Sequence, residues 1–163
     1  MPRKAARPAR PPVQTAPTRA PWVVFTSLAL CVLGLVDAAY LTVDHYSSST
    51  TLACSDSGAI NCLKVTTSSY SKVAGVPVAL LGLIFFVALT ALCLPGAWRS
   101  TNRNVRRLRL AATTVGMISV LYLVWVELFK VDAICLWCTG VHVLTFALFA
   151  LVVMDTAGIF AAE

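Results

Sequence analysis

The chain has 163 residues, 58% of them hydrophobic and only 12% charged, with a mean hydropathy of +0.80 and a net charge of +6. Soluble domains are about a quarter charged and less than half apolar, so a soluble enzyme, a disordered chain and a nucleic-acid module are excluded. Charges are absent from four windows, 20–36, 73–98, 110–126 and 133–154, which together make half the chain.

In chain order, the tail before residue 21 is rich in Pro, Arg and Ala and reads as a disordered basic segment. A bilayer core of about 30 Å takes roughly 20 helical residues, and each window fits once extended at its ends. The expected spans are Trp22–Val43, Pro77–Leu94, Leu108–Phe129 and Ile134–Met154, followed by a short tail, 155–163. Lipid forces backbone groups to bond internally, and the continuous apolar runs match helices rather than alternating barrel strands. The fold class is therefore all-α and integral to a membrane. Pro77 can open the second helix and Leu94-Pro95-Gly96 can close it. Trp22, Tyr46 and Trp98 fall near the expected interfaces. A rival reading is a cleaved signal peptide ending at Asp37-Ala38-Ala39, but the apolar run continues past Asp37.

Basic residues orient the spans. Arg3, Lys4, Arg7, Arg10 and Arg19 precede the first, and Arg99, Arg103, Arg106, Arg107 and Arg109 join the second to the third. The other side has only Lys64, Lys72 and Lys130. Both termini are thus expected in the cytoplasm, with the long loop 44–76 and the short loop 130–133 outside. The net charge reports orientation, not a nucleic-acid partner.

Of six cysteines, Cys31 and Cys93 lie inside spans and read as small packing residues. Cys54 and Cys62 lie in the long outer loop, and Cys135-Leu136-Trp137-Cys138 opens the last span. All four fall on the side where disulfides persist. A helix starting near Ile134 would put Cys135 and Cys138 one turn apart on one face, about 5–6 Å between Cβ atoms. The positive end of its dipole would favour thiolate there, which suits the pair to thiol–disulfide exchange. Two structural disulfides, or a zinc site made of four thiolates, are the bland alternatives. The zinc site is disfavoured by the spacing, and no metal is expected.

The stretch Asn61-Cys62-Leu63-Lys64-Val65-Thr66-Thr67-Ser68-Ser69-Tyr70-Ser71-Lys72, followed by Gly75-Val76-Pro77-Val78-Ala79-Leu80-Leu81-Gly82, resembles the bacterial branch of the vitamin K epoxide reductase family. Ala39-Tyr40-Leu41-Thr42 with His45, and Cys135-Leu136-Trp137-Cys138-Thr139, fit the same pattern. The resemblance runs from about residue 22 to 154. It departs at Ser69, where many bacterial members have proline.

The resemblance implies a four-helix membrane bundle around a quinone, with a short helix in the outer loop. By position, Cys54 and Cys62 match the loop shuttle pair, Cys135 and Cys138 the active-site pair, and Ser68 the serine near that centre. It also implies an enzyme that takes electrons from a secreted thioredoxin-fold partner and passes them to menaquinone or ubiquinone. The family's fused thioredoxin-like domain has no counterpart in the nine residues after Met154, so a separate partner is expected.

His142, four residues after Cys138, is a candidate to meet a quinone oxygen, with another helix as its alternative partner. Phe85, Phe86, Trp125 and Trp137 are candidates to line the pocket, and Trp137 is expected near the site because it lies between the reactive cysteines. Asp37 and Glu127 read as interfacial carboxylates, Asp37 paired with Lys72 or Lys130, and neither is expected to be catalytic. Two other function classes compete: a non-enzymatic membrane subunit stapled by disulfides, and the other quinone-linked disulfide-generating family. In the latter the Cys-x-x-Cys lies in the first outer loop, not at the start of the last span.

Overall fold

A computed structural model describes residues 20–47, 53–54 and 58–158. The expected disordered tail and the extreme C-terminus lie outside the described residues. Helix α1 spans Pro21–Ser47, α2 Cys62–Thr66, α3 Val78–Cys93, α4 Pro95–Arg99, α5 Arg103–Val126 and α6 Leu136–Thr156. A 3₁₀ turn, Ser69–Ser71, and a two-stranded hairpin of β1 (Lys72–Val73) and β2 (Val76–Pro77) lie between α2 and α3. A π-helical turn, Glu127–Val131, continues α5.

Three helices are long and apolar enough to cross a membrane: α1, α5 with its π turn, and α6. The fourth apolar helix, α3, has 16 residues, or about 24 Å at 1.5 Å per residue. The expected second span is longer because it counts Pro77 and Leu94 as helical. Pro77 instead pairs with Lys72 in the hairpin, and Leu94 is extended (φ −58°, ψ 148°), as a residue before proline prefers. The turn Ala74-Gly75 has φ of +51° and +84°, the left-handed pair that tight hairpins need.

The other boundaries also move. Helix α1 continues through Asp37-Ala38-Ala39 and on through Asp44, His45 and Tyr46. Helix α5 begins at Arg103, where the Asn102 side chain accepts from the Asn104 N–H at 2.9 Å. A cap, not the edge of the apolar window, decides where it starts.

Helix α1 packs on α3 and α6, and α5 packs on α6 and α3, so the four apolar helices close a ring. Phe86 is fully buried in the largest apolar cluster, with Cys31, Ala38, Leu89, Cys93 and Leu148. Its ring occupies the place where a Cβ on Gly34 would stand. That glycine lets α1 and α3 approach closely, which matters in lipid, where packing rather than water exclusion holds helices together.

At the opposite end of the ring from the hairpin, Trp98 and Arg109 are buried inside the protein. They are only 6% and 3% exposed. The Arg109 guanidinium lies 3.6 Å from the Trp98 ring centroid and donates from Nε and Nη2 to the Leu92 carbonyl at 3.0 and 2.8 Å. Trp98 Nε1 donates to Ser27 Oγ at 3.1 Å. Arg109 thus braces α3, α4 and α5 together rather than standing as a loop charge.

Replacing Gly34 with Val should displace Phe86 and destabilise the protein by about 1–3 kcal/mol, the usual cost of overpacking. Thermal unfolding in detergent measures it, and a melting temperature equal to wild type would contradict this packing account.

Candidate functional site

Two backbone hydrogen bonds assemble the site. Asn61 N–H donates to the Ile134 carbonyl at 3.0 Å, and Ile134 N–H donates to the Ala59 carbonyl at 2.9 Å. This short parallel bridge, Ile60 beside Ile134, sets the segment entering α2 against the segment entering α6. The next residue on one side is Cys62 and on the other Cys135. Lys64 Nζ reinforces the junction by donating to the Asp132 carbonyl at 3.2 Å. Asp132 itself has φ of +51° and turns the chain out of the π turn, a conformation that Asp tolerates better than most residues.

Cys54 and Cys62 are joined in a disulfide, with Cα atoms 6.1 Å apart. Cys62 is fully buried at the start of α2. Asn61 caps that helix by accepting from the Lys64 N–H at 2.8 Å. Cys135 and Cys138 are free thiols. The expected helix start at Ile134 shifts to Leu136, so Cys135 is the N-cap residue and is extended (φ −101°, ψ 118°). Its sulfur accepts from the Cys138 N–H at 3.3 Å. The two sulfurs therefore meet through a cap rather than through neighbouring positions on one helical face. The Cys135 thiol is held below its ordinary range, first by the hydrogen bond from the Cys138 side chain and then by backbone N–H groups of Cys138 and Trp137. Burial and the nearby Glu127 carboxylate oppose that shift.

Beneath this junction lies a cavity of about 610 Å³. Ala38, Leu41, Phe85, Phe86, Val120 and Val141 are among its apolar walls, while Thr66, Ser68 and Tyr70 come from the roof. Of these four cysteines, Cys138 alone lines it. His142 lines it too, one turn further along α6, and is buried. Ser68 borders it, with its hydroxyl donating to the Val65 carbonyl at 2.8 Å.

Two expected pocket aromatics are elsewhere. Trp125 stacks with Tyr122 and Phe129 and is 44% exposed. Trp137 does not line this cavity but a second, more open one of about 660 Å³, with Asp37, Tyr40 and Gly140. Its ring packs on Tyr40 at 4.7 Å and its Nε1 donates to the Ala53 carbonyl at 3.4 Å. Tyr40 Oη accepts from the Ala53 N–H at 3.3 Å. Trp137 and Tyr40 thus hold the residue before Cys54.

The carboxylates also differ from expectation. Glu127 is only 6% exposed, borders the cavity and accepts a hydrogen bond from the Cys135 backbone N–H. It does not reach for solvent. Among the described residues Asp37 has no lysine partner: its Oδ1 makes no hydrogen bond, and Lys130 lies over the Trp125 ring instead. Its Oδ2 lies 2.8 Å from where a Cβ on Gly140 would stand, so that glycine leaves room for the carboxylate against α6. Asp37 and Glu127 both interact electrostatically with Cys138. Glu127 is the main residue the sequence undervalued. Its signal was an acid in an apolar helix eight residues before a Cys-x-x-Cys. Among the described residues, no cluster of His, Cys, Asp or Glu could hold a metal ion.

A membrane protein with a dithiol at a helix start and a disulfide beside it is built for thiol–disulfide chemistry. The chain belongs to the vitamin K epoxide reductase family, whose model matches residues 25–153. The family is membrane-bound, and its members are oxidoreductases. Among curated proteins, none matches the chain.

Removing the Cys138 side chain should move the Cys135 titration upward. In fully reduced protein, the pH-dependent thiolate absorbance near 240 nm that is lost in Cys135→Ser should appear at higher pH in Cys138→Ala. An unchanged midpoint would mean that the Cys138 thiol does not hold Cys135 down.

Proposed function

We propose that the protein is a membrane thiol:quinone oxidoreductase that generates disulfides in secreted proteins. One observation carries this reading. Two cysteine pairs meet through the Ile60–Ile134 bridge, and only Cys138 of the four opens into the cavity.

The catalytic unit is residues 22–154, with α3 as the fourth membrane helix of a bundle. Both termini are cytoplasmic and the cysteine pairs face the periplasmic or extracellular side, as the distribution of basic residues supports. A reduced thioredoxin-fold partner attacks the Cys54–Cys62 disulfide at Cys54. The Cys54–Cys62 bond breaks, a mixed disulfide forms, and Cys62 leaves as thiolate. The partner's second thiol then displaces Cys54, so the partner departs oxidised. Cys62 attacks Cys135 of an oxidised Cys135–Cys138 pair and releases Cys138 as thiolate. Cys54 displaces Cys135 from Cys62, which restores the loop disulfide and leaves Cys135 and Cys138 reduced.

The cavity fits a quinone headgroup. Its volume lies within the range of small-molecule sites, and its walls are apolar with a few polar groups. Menaquinone or ubiquinone would be held by the apolar walls, with Ser68 and His142 as polar contacts. When bound, the quinone supplies an acceptor for two electrons and two protons. Cys138 presents its sulfur to that space. Glu127, beside Cys135, is placed to take and return a proton at its carboxylate. Trp137 acts by holding Ala53 and so the loop that carries Cys54.

The relay order is testable by trapping. In Cys54→Ala no loop thiol can displace Cys135 from Cys62. Attack of Cys62 on the oxidised Cys135–Cys138 pair should then leave a Cys62–Cys135 disulfide with Cys138 as the free thiol in cells, detected by peptide mapping without reductant. A free Cys62 beside an intact Cys135–Cys138 disulfide would overturn the proposed transfer.

A further inference from the structure

The relay leaves Cys31 and Cys93 unused. Both are fully buried, one on α1 and one on α3, and neither lines the cavity. They belong to one buried cluster between the packed helices α1 and α3, and their thiols interact with each other. Other polar groups gather around them. The Ser27 hydroxyl, one turn before Cys31, lies beside the Cys93 sulfur and donates to the Val24 carbonyl at 2.9 Å. That same hydroxyl receives the Trp98 Nε1 hydrogen bond at 3.1 Å. The Arg109 guanidinium, stacked on Trp98, acts electrostatically on both sulfurs. Polar side chains from α1, α3, α4 and α5 thus converge inside an interior otherwise built of Leu, Val and Phe. Packing alone asks for none of this, since two small apolar residues would fill the same space.

We propose that Cys31 and Cys93 form a second redox site, a buried dithiol that a small membrane-permeant peroxide oxidises to a disulfide joining α1 to α3. Cys93 is the nucleophile, because the Cys31 thiol and the Arg109 guanidinium both act on its sulfur. The Cys93 thiolate attacks one oxygen of hydrogen peroxide. The O–O bond breaks, and the departing hydroxide takes the thiol's proton to become water. Cys93 is now a sulfenic acid, oxidised by two electrons. The Cys31 sulfur attacks Cys93, the S–S bond forms and the S–O bond breaks. The second water leaves with the Cys31 proton. Two thiols and one peroxide give one disulfide and two waters.

The bond would pin the two helices that already meet at Gly34 and Phe86. Both helices also wall the cavity, through Ala38 and Phe86. The proposal is independent of the relay, since the oxidant is peroxide and no outer cysteine takes part.

The test uses full-length protein in native membranes. It is exposed to hydrogen peroxide, quenched in acid, denatured, alkylated and digested without reductant. Mass spectrometry should find a Cys31–Cys93 linked peptide pair that appears with peroxide and disappears on reduction. A variant with Cys54→Ser and Cys138→Ser, which cannot run the relay, should form the same link. Cys31 and Cys93 still fully alkylated, under peroxide that has oxidised Cys135 and Cys138, would overturn the proposal. So would a link that forms only when the relay cysteines are intact.

Discussion

The site depends on one backbone contact, the pair of hydrogen bonds between Ala59, Asn61 and Ile134. Cys62 and Cys135 are far apart in sequence, and neither lies on a helix that packs broadly against the other's. A two-bond parallel bridge brings them together, and it sits just before both helix starts. Each cysteine therefore enters a helix immediately after the bridge, Cys62 as the first residue of α2 and Cys135 as the cap of α6. A change of register there would move both sulfurs at once, because side chains alternate between faces along an extended segment.

Around that contact the polar and apolar requirements are separated. The junction itself is rich in hydrogen bonds: Asn61 caps α2, Lys64 holds the Asp132 carbonyl, and Trp137 with Tyr40 holds Ala53. The cavity beneath is largely apolar, with Cys138, Ser68, Glu127 and His142 reaching it from different elements. A thiol at a helix start gains from backbone N–H groups, and Cys135 uses this directly as a cap. The same sulfur that ends the extended segment is thus electronically prepared for exchange.

Much of this was legible in the sequence. Uncharged windows mark the apolar helices because lipid tolerates few charges there, and the Cys-x-x-Cys marks a helix start. What escaped was set by tertiary contacts. The hairpin at Ala74-Gly75 shortens α3, and its signal is only a glycine before a proline-bearing strand. Arg109 counts as a cytoplasmic charge in a tally of basic residues, yet stacking on Trp98 buries it. Glu127 reads as interfacial until the Cys135 N–H is seen to bind it. Cys31 and Cys93 read as packing residues and do lie buried in the largest apolar cluster; only their being neighbours across α1 and α3, which helix rotation decides, left no mark on composition. Trp137 was placed by its neighbours in sequence, but adjacent residues on a helix point about 100° apart, so Trp137 and Cys138 face different sides of α6.

The central claim is that electrons leave the protein through Cys138 into the cavity. Anaerobic titration of reduced protein with a soluble quinone analogue tests it most directly, using a Cys54→Ala, Cys62→Ala background so that one dithiol feeds the reaction. The account predicts one quinol per molecule, with loss of the Cys135 and Cys138 thiols, and no quinol once Cys138→Ala is added. Undiminished quinol formation without Cys138 would contradict it.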